Sequence, residues 1–210
     1  MSLKIKICGM REPENILEAA KLKPDLMGFI FYPASPRYAA GILHADILAE
    51  LSPEIIKTGV FVNAGLNEIK ETIRKYSLDM VQLHGNEDPE TCRILHNEGI
   101  GIIKAFKLKD GSGFKNFIKY IAFTDYFLFD TPTPEFGGSG HKFDWQILSG
   151  YDLDHPFFLS GGISPGDVHN ILEIDHPSFY GIDINSRFEL YPGLKNIKIL
   201  GEFISGIRNQ

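Results

Sequence analysis

The residues best suited to acid–base chemistry are Cys8 and Asp130. Cys8 lies near the end of residues 4–9, KIKICG. Alternate side chains of a strand share a face, so Lys6 and Cys8 would point to one side and the isoleucines to the other, with Cys8 at the rim. A free thiol has a pKa of about 8.5, and a neighbouring Lys6 ammonium would lower it. The alternative is that Cys8 is a small buried hydrophobic residue, as most free cysteines are.

Asp130 ends the apolar segment FLFD at residues 127–130. A carboxyl group in that position does not fit simple packing. At the C-terminal end of a barrel strand it is a candidate acid or base. The alternative is that Asp130 only caps the turn that follows the strand.

Two glycine-rich turns, residues 137–140 and 160–162, could bind an anion. Glycines close together can present consecutive backbone N–H groups to a phosphate, although a flexible loop has the same composition. The second turn precedes a predicted helix at Pro165 and follows the seventh predicted strand, where phosphate-binding barrels often place their site. The candidate phosphate-binding residues of the two turns are Gly138, Ser139, Gly140, Gly161 and Gly162.

Three further polar residues lie at or after the ends of predicted strands. Arg37 follows Pro36 in a long loop. A loop arginine is usually solvated, but its planar fork also suits a carboxylate. Gln82 and His84 share a strand face by alternation, although a lone histidine is more often structural than catalytic. The chain has no HxH or HExxH spacing and no cysteine pair, so we expect no metal.

Short apolar segments alternate with amphipathic ones along the chain. Strands are predicted at 3–8, 26–31, 56–62, 80–83, 102–106, 126–129, 157–159 and 180–182, and helices at 13–22, 45–51, 66–76, 89–97, 114–122, 145–148, 165–172 and 195–207. This alternation predicts parallel βαβ units of the α/β class. Polar residues follow strands from the first to the last, whereas an open sheet gathers them near one switch point. We therefore predict a compact (β/α)8 TIM barrel, one domain over residues 1–210.

Composition excludes several kinds of partner. The chain has 21 basic and 27 acidic residues, a net charge of −6, which argues against binding nucleic acid. No apolar run approaches the roughly 18 residues of a membrane span, so we expect no membrane partner. Two cysteines are too few for a secreted disulfide scaffold, and no signal-like segment precedes the first strand. We therefore expect a cytoplasmic protein.

The ordered set of motifs resembles the phosphoribosylanthranilate isomerase family. The motifs are KICGM at 6–10, GFIF at 28–31, SPR at 35–37, GVFVN at 59–63, VQLHG at 81–85, DT at 130–131, GGSG at 137–140, FDW at 143–145, SGGI at 160–163 and GID at 181–183. One such motif alone is weak evidence. Together they stand in the family's order and cover nearly the whole chain.

The resemblance implies an Amadori rearrangement of a phosphorylated small molecule, N-(5'-phosphoribosyl)anthranilate, in tryptophan biosynthesis. One acid and one base suffice for this reaction, so no cofactor is expected, and the enzyme would be a monomer or homodimer. By motif position, Cys8 resembles the family's general base and Asp130 its general acid. The other implied contacts are Arg37, Gln82, His84 and Asp183 for the substrate, with Arg37 and Asp183 at its anthranilate end, and Asn185 and Ser186 beside the glycine turns for the phosphate.

One departure from the family pattern concerns the last strand. The family usually has Ser-Gly after its aspartate, and this chain has Ser186-Arg187. Arg187 either faces solvent or contacts the phosphate. Two other functions remain open: another phosphosugar barrel, such as indole-glycerol-phosphate synthase or a histidine-pathway isomerase, and a catalytically silent barrel that binds a phosphometabolite. The pairing of Cys8 with Asp130 argues against both.

Overall fold

The computed structural model of the chain describes residues 3–108, 113–130 and 145–209. Eight parallel strands close into a barrel in chain order. They are β1 (Lys4–Cys8), β2 (Leu26–Ile30), β3 (Ile56–Phe61), β4 (Met80–Leu83), β5 (Gly101–Lys107), β6 (Tyr126–Asp130), β7 (Phe157–Ser160) and β8 (Phe179–Ile184). β1 pairs with β8, so that Lys6 lies opposite Asp183. The predicted closed barrel is confirmed, and every predicted strand matches an observed one to within a residue or two at each end.

Helical segments follow the strands. The α-helices are α1 (Pro13–Ala20), α2 (Ala45–Ala49), α3 (Leu66–Tyr76), α4 (Pro89–Asn97), α5 (Val168–Leu172) and α6 (Ile197–Arg208), and the 3-10 helices are Phe114–Phe123, Trp145–Gly150, Pro165–Asp167 and Ser186–Phe188. The bounds of α3 and α4 are those predicted. Within the described ranges, no helix has the length and apolar character to cross a membrane.

The helix predicted over residues 114–122 is a ten-residue 3-10 helix. Its aromatic residues recur every third position, at Phe114, Phe117, Tyr120 and Phe123. A 3-10 helix has three residues per turn, so side chains three apart lie above one another. Phe117 stacks on Phe106 of β5, with ring centroids 3.8 Å apart. The spacing of the aromatic residues therefore explains the tighter helix.

The helix predicted over residues 195–207 was wrong at its start. Residues 189–195 form an antiparallel hairpin of β9 (Glu189–Tyr191) and β10 (Leu194–Lys195). Helix α6 begins only after Asn196, whose side chain accepts a hydrogen bond from the backbone N–H of Ile199 at 3.2 Å. The hairpin strands are too short to show an alternating pattern in the sequence.

The two faces of the barrel strands enter separate apolar clusters. The interior cluster consists of Leu26, Met80, Ile103, Ala105, Leu128 and Phe158. The larger cluster lies between strands and helices and includes Ile5 and Ile7, both fully buried. The sequence prediction that the isoleucines of β1 pack outward and Lys6 and Cys8 point inward is confirmed, because Lys6 bonds to Asp183 and Cys8 lines the interior cavity.

A bulge in β8 changes which of its residues face inward. Phe157 pairs with Phe179, but Phe158 pairs with Gly181, so one residue is inserted. The ring of the extra residue, Tyr180, packs at a tilt against that of Tyr126 of β6, with ring centroids 4.6 Å apart. A bulge re-aims the side chains around it, and this one lies at the N-terminal end of β8. A Cβ added at Gly181 would lie 2.5 Å from the backbone oxygen of Lys4, so only glycine fits there.

We expect Gly181→Ala to lower the free energy of unfolding by about 1–3 kcal/mol, because backbone atoms must move to admit the methyl group. Gly41→Ala is the matched control, since nothing lies within 4 Å of its added Cβ. Urea unfolding followed by circular dichroism measures both variants. If Gly181→Ala and Gly41→Ala have the same free energy of unfolding, the predicted clash of the Gly181 Cβ with the backbone oxygen of Lys4 is wrong.

Candidate active site

The C-terminal ends of the strands surround a cavity of about 560 Å³, a size that suits a small-molecule ligand. The predicted site residues that line it are Cys8, Gln82, His84, Asp130, Gly161, Gly162, Asp183, Asn185 and Ser186. Gly138, Ser139 and Gly140 lie outside the described residues. The barrel thus brings together residues from five of its strands or the turns that follow them.

Lys6 and Asp183 form an ion pair inside the barrel. The Lys6 Nζ lies 3.0 and 3.1 Å from the two carboxylate oxygens, and the side chains are 0% and 4% exposed. Burial alone would lower the pKa of Lys6, but Asp183 and Cys8 raise it above its ordinary value. A Cβ added at Gly28 would lie 2.8 Å from the Cys8 Sγ and 3.0 Å from the Lys6 Nζ. The expected ammonium group beside Cys8 is therefore present.

Lys6 lowers the pKa of Cys8 as expected, but the net shift of that pKa is upward. Burial raises the pKa of the Cys8 thiol, and the carboxylate of Asp183 raises it further. The ammonium groups of Lys6 and Lys195 lower it, but not enough to offset burial. A desolvated thiolate is costly even near a cation when that cation is already paired with a carboxylate. The resting thiol is therefore protonated, and it becomes a strong base once its proton leaves.

Asp130 contacts a short chain of polar side chains. The Gln82 Nε2 donates to the His84 Nδ1 at 2.8 Å, which leaves the proton of His84 on Nε2. That atom lies 3.4 Å from the Asp130 Oδ2 and donates to it. Because Oδ2 accepts this hydrogen, the other oxygen of Asp130 is the one placed to carry a transferable proton. Among the described residues, the buried Oε1 of Gln82 has no hydrogen-bond partner.

The sequence analysis missed one neighbour of Asp130, Lys107, and named Ser160 only as the first residue of a glycine-rich turn. Lys107 of β5 and Ser160 of β7 lie opposite Asp130 in the strand register, and both line the cavity. Strand alternation could have predicted Lys107, because it ends β5 two residues after Ala105 and so lies on the same, inward face of the strand. Its ammonium group adds a positive charge at the rim where an anionic ligand would enter.

Arg37 forms an ion pair rather than facing solvent. Its Nε donates to both oxygens of Glu189 at 2.9 and 3.0 Å, and its Nη2 donates at 2.6 Å. The Arg37 side chain is only 19% exposed, which excludes a solvated loop arginine. A Cβ added at Gly9 would lie 2.7 Å from the Arg37 Cδ. The arginine therefore crosses the end of β1, beside the residue that follows Cys8.

The glycine turn after β7 has an unusual backbone. Gly161 and Gly162 both have positive φ, 87° and 66°, and both line the cavity. At the start of the helix that follows, the Ser164 N–H and Oγ both donate to the Asp167 Oδ2 at 2.8 and 2.6 Å. Gly161 and Gly162 line the cavity, whereas Ser164 is not among its lining residues.

Arg187 is exposed and has a negative φ. The backbone at this position therefore does not require the glycine that the family usually has. Of the two alternatives for Arg187, the structure supports the one in which its guanidinium faces solvent.

We expect Cys8 to react with iodoacetamide only at a higher pH than an ordinary cysteine. The thiolate is the reacting form, so a raised pKa moves the rise in rate upward. Peptide mass spectrometry measures alkylation of each cysteine against pH. Cys92 is the internal control, because burial raises its pKa to about 11. Half-maximal alkylation of Cys8 at or below the pH found in the urea-unfolded chain would contradict the assigned direction.

Comparison with known proteins identifies the family. Residues 5–206 match the family described as N-(5'phosphoribosyl)anthranilate (PRA) isomerase. An N-(5'-phosphoribosyl)anthranilate isomerase of Parabacteroides distasonis is 48% identical over 206 residues, which are 97% of this chain and 92% of that protein.

Two solved structures are also similar. One is a phosphoribosyl anthranilate isomerase in complex with reduced 1-(o-carboxyphenylamino)-1-deoxyribulose 5-phosphate, at 31% identity and a TM-score of 0.85, covering 99% of this chain and 100% of that one. The other is described as mutually generated monomers of the dimeric enzyme from Thermotoga maritima, at 30% identity and a TM-score of 0.84, with the same coverage. The chain belongs to the N-(5'-phosphoribosyl)anthranilate isomerase family.

Proposed function

We propose that the chain converts N-(5'-phosphoribosyl)anthranilate to 1-(2-carboxyphenylamino)-1-deoxyribulose 5-phosphate. The observation that carries this proposal is that Cys8 and Asp130, the last residues of β1 and β6, line one cavity. The reaction moves protons and needs one acid and one base. The relative solved with the reduced product supports the same ligand class for this cavity.

Asp130 acts as the general acid in the first step. It donates its proton to the oxygen of the ribose ring, the bond from that oxygen to C1 breaks, and the nitrogen lone pair forms a protonated Schiff base. His84 keeps one carboxyl oxygen of Asp130 engaged, so the proton leaves from the other. Asp130 is then a carboxylate, and the Lys107 ammonium opposite it in the register offsets the new charge.

Cys8 acts as the general base in the second step. Its thiolate removes the proton from C2, and the electron pair moves into the C1–C2 bond to give an enolamine. Tautomerisation then places a proton on C1 and removes the hydroxyl proton at C2, which yields the ketone. Lys6, which approaches the sulfur over Gly28, stabilises the thiolate during this step. A base with a raised pKa removes a carbon-bound proton more readily than an ordinary thiolate does.

The two anionic ends of the substrate bind at different places. Arg37 is not among the residues that line the cavity, but it lies beside Gly9 at the end of β1, and its planar fork suits the anthranilate carboxylate. The phosphate binds at the Gly161–Gly162 turn with Asn185 and Ser186, and the family motif assigns Gly138, Ser139 and Gly140 to phosphate binding as well. Asp183, itself a carboxylate, contacts the amine N–H rather than the acid group.

The cellular setting and the assembly follow from the same assignment. The enzyme works in the cytoplasm, in tryptophan biosynthesis, and its two cysteines are free thiols, as a reducing compartment requires. The dimeric Thermotoga maritima relative favours a homodimer over a monomer for this chain.

We expect Cys8→Ser to lower kcat at least about a hundredfold, because a hydroxyl is a poor base and general base catalysis contributes 10²–10⁴-fold. Loss of the substrate's fluorescence measures turnover. Cys92→Ala is the control, since it removes a thiol of α4 outside the cavity, and circular dichroism confirms folding of both. If Cys8→Ser keeps more than about a tenth of the wild-type kcat, Cys8 is not the base.

We expect Asp130→Asn to lower kcat by a similar factor while KM changes little, because the amide keeps the shape but cannot donate a carboxyl proton. Steady-state kinetics separates the two constants. A raised KM with unchanged kcat would show that Asp130 only binds substrate. No turnover by the wild-type protein itself would favour a catalytically silent binding barrel.

A further inference from the structure

The carboxylate of Glu189 is buried between two cations. Its side chain is 3% exposed, and it accepts hydrogen bonds from Arg37 and from the Lys195 Nζ, the latter at 2.8 Å. The backbone N–H of Gly193 donates to the same carboxylate at 3.1 Å. Burial alone would raise the pKa of Glu189, but Arg37 and Lys195 hold it below its usual range, so the group is ionised.

The geometry of these bonds leaves one edge of Arg37 for a second anion. A guanidinium presents two edges, one formed by Nε and Nη2 and the other by Nη1 and Nη2. Glu189 takes the first edge with three contacts. The second edge shares Nη2 with the first and lies at the end of the side chain, and among the described residues no acceptor contacts its Nη1. A bidentate bond on one edge also fixes the plane of the guanidinium, so the orientation of the second edge is set before substrate arrives.

The charges of this cluster also suit a second carboxylate. Arg37 and Lys195 contribute two positive charges and Glu189 one negative charge, so the cluster carries a net charge of +1. Without Lys195, Glu189 and a substrate carboxylate would share a single cation and repel each other. Lys195 is itself fixed, because its Nζ donates to the Asn185 Oδ1 at 2.7 Å and its side chain is fully buried.

We propose that Glu189 is a positioning residue, which with Lys195 as its counter-charge holds Arg37 in the orientation that binds the substrate carboxylate. This inference rests on the proposed role of Arg37. Holding a long side chain in its binding conformation removes the entropy cost of ordering it when substrate binds. Glu189 therefore raises affinity for substrate without touching it.

The test is a double-mutant cycle of Glu189→Gln and Arg37→Ala, assayed with the full substrate and with an analogue in which aniline replaces anthranilate. We expect Arg37→Ala to lower kcat/KM for the full substrate roughly ten- to a hundredfold. Glu189→Gln should raise KM about tenfold with kcat within about threefold of wild type. The double variant should be no worse than Arg37→Ala, and all four proteins should act on the analogue about equally.

The controls separate positioning from structural support. Glu90→Gln breaks a carboxylate–arginine pair on the surface of α4 and should leave KM unchanged. Lys195→Met combined with Glu189→Gln removes both charges, so it gives a folded protein if Glu189→Gln alone is unstable. Because Lys195 also bonds to Asn185 of the proposed phosphate site, its readout is the ratio of KM for the full substrate to KM for the analogue, which should rise as it does for Glu189→Gln. Additive losses in the double-mutant cycle, or an equal loss with the analogue for Glu189→Gln alone, would overturn the positioning role.

The outcomes also distinguish a failure of the Glu189 inference from a failure of the proposed role of Arg37. If Arg37→Ala loses as much activity with the analogue as with the full substrate, then Arg37 does not bind the carboxylate, and the proposed role of Arg37 fails with the inference. If Arg37→Ala behaves as expected and Glu189→Gln has a wild-type KM, only the inference about Glu189 fails.

Discussion

The ion pair of Lys6 with Asp183 is the interaction on which the site depends. It lies inside the barrel between the first and the last strand, and its two residues are 177 positions apart in the chain. A buried ion pair contributes little net stability, because desolvation offsets most of the attraction, but losing one partner leaves a buried charge that is strongly destabilising. The pair therefore acts as a constraint: the barrel closes in the register that brings these two groups together.

The same pair sets the chemistry of Cys8. An unpaired Lys6 would make the thiol acidic, whereas Lys6 paired with Asp183 offers it only part of a positive charge. The site therefore holds a protonated thiol with an ammonium group within reach. This arrangement suits a base that must act on a weakly acidic C–H bond, because a thiolate made too stable by its surroundings would also be a weak base. As a consequence of the raised pKa, Cys8 is a thiolate in only a small fraction of the protein molecules at any moment.

The alternation of side chains along each strand and the order of the strands could be derived from the sequence. These two features predicted the positions of most site residues. Lys6 and Cys8 share the inner face of β1, and Gln82 and His84 bond to each other, as the two-residue period required. The pKa of Cys8 could not be derived in this way, because it depends on burial and on Asp183, which local sequence does not reveal. Glu189 was missed for a related reason, since it lies in a hairpin strand of three residues. The bulge at Tyr180 likewise shifts the inward face of β8, and only the register shows it.

The two ion pairs of the site share an arrangement. Asp183 of β8 pairs with Lys6, and Glu189, which follows β8, pairs with Arg37. Both cations lie within the first forty residues of the chain. Neither pair can form until the end of the chain has closed the barrel against its beginning, because the partners are 177 and 152 positions apart. Both pairs therefore depend on the contact between the start and the end of the chain, which brings Lys6 beside Cys8 and fixes Arg37 beside Gly9. A change that loosens this contact would disturb the base and the arginine together, although the helices of the barrel are unchanged.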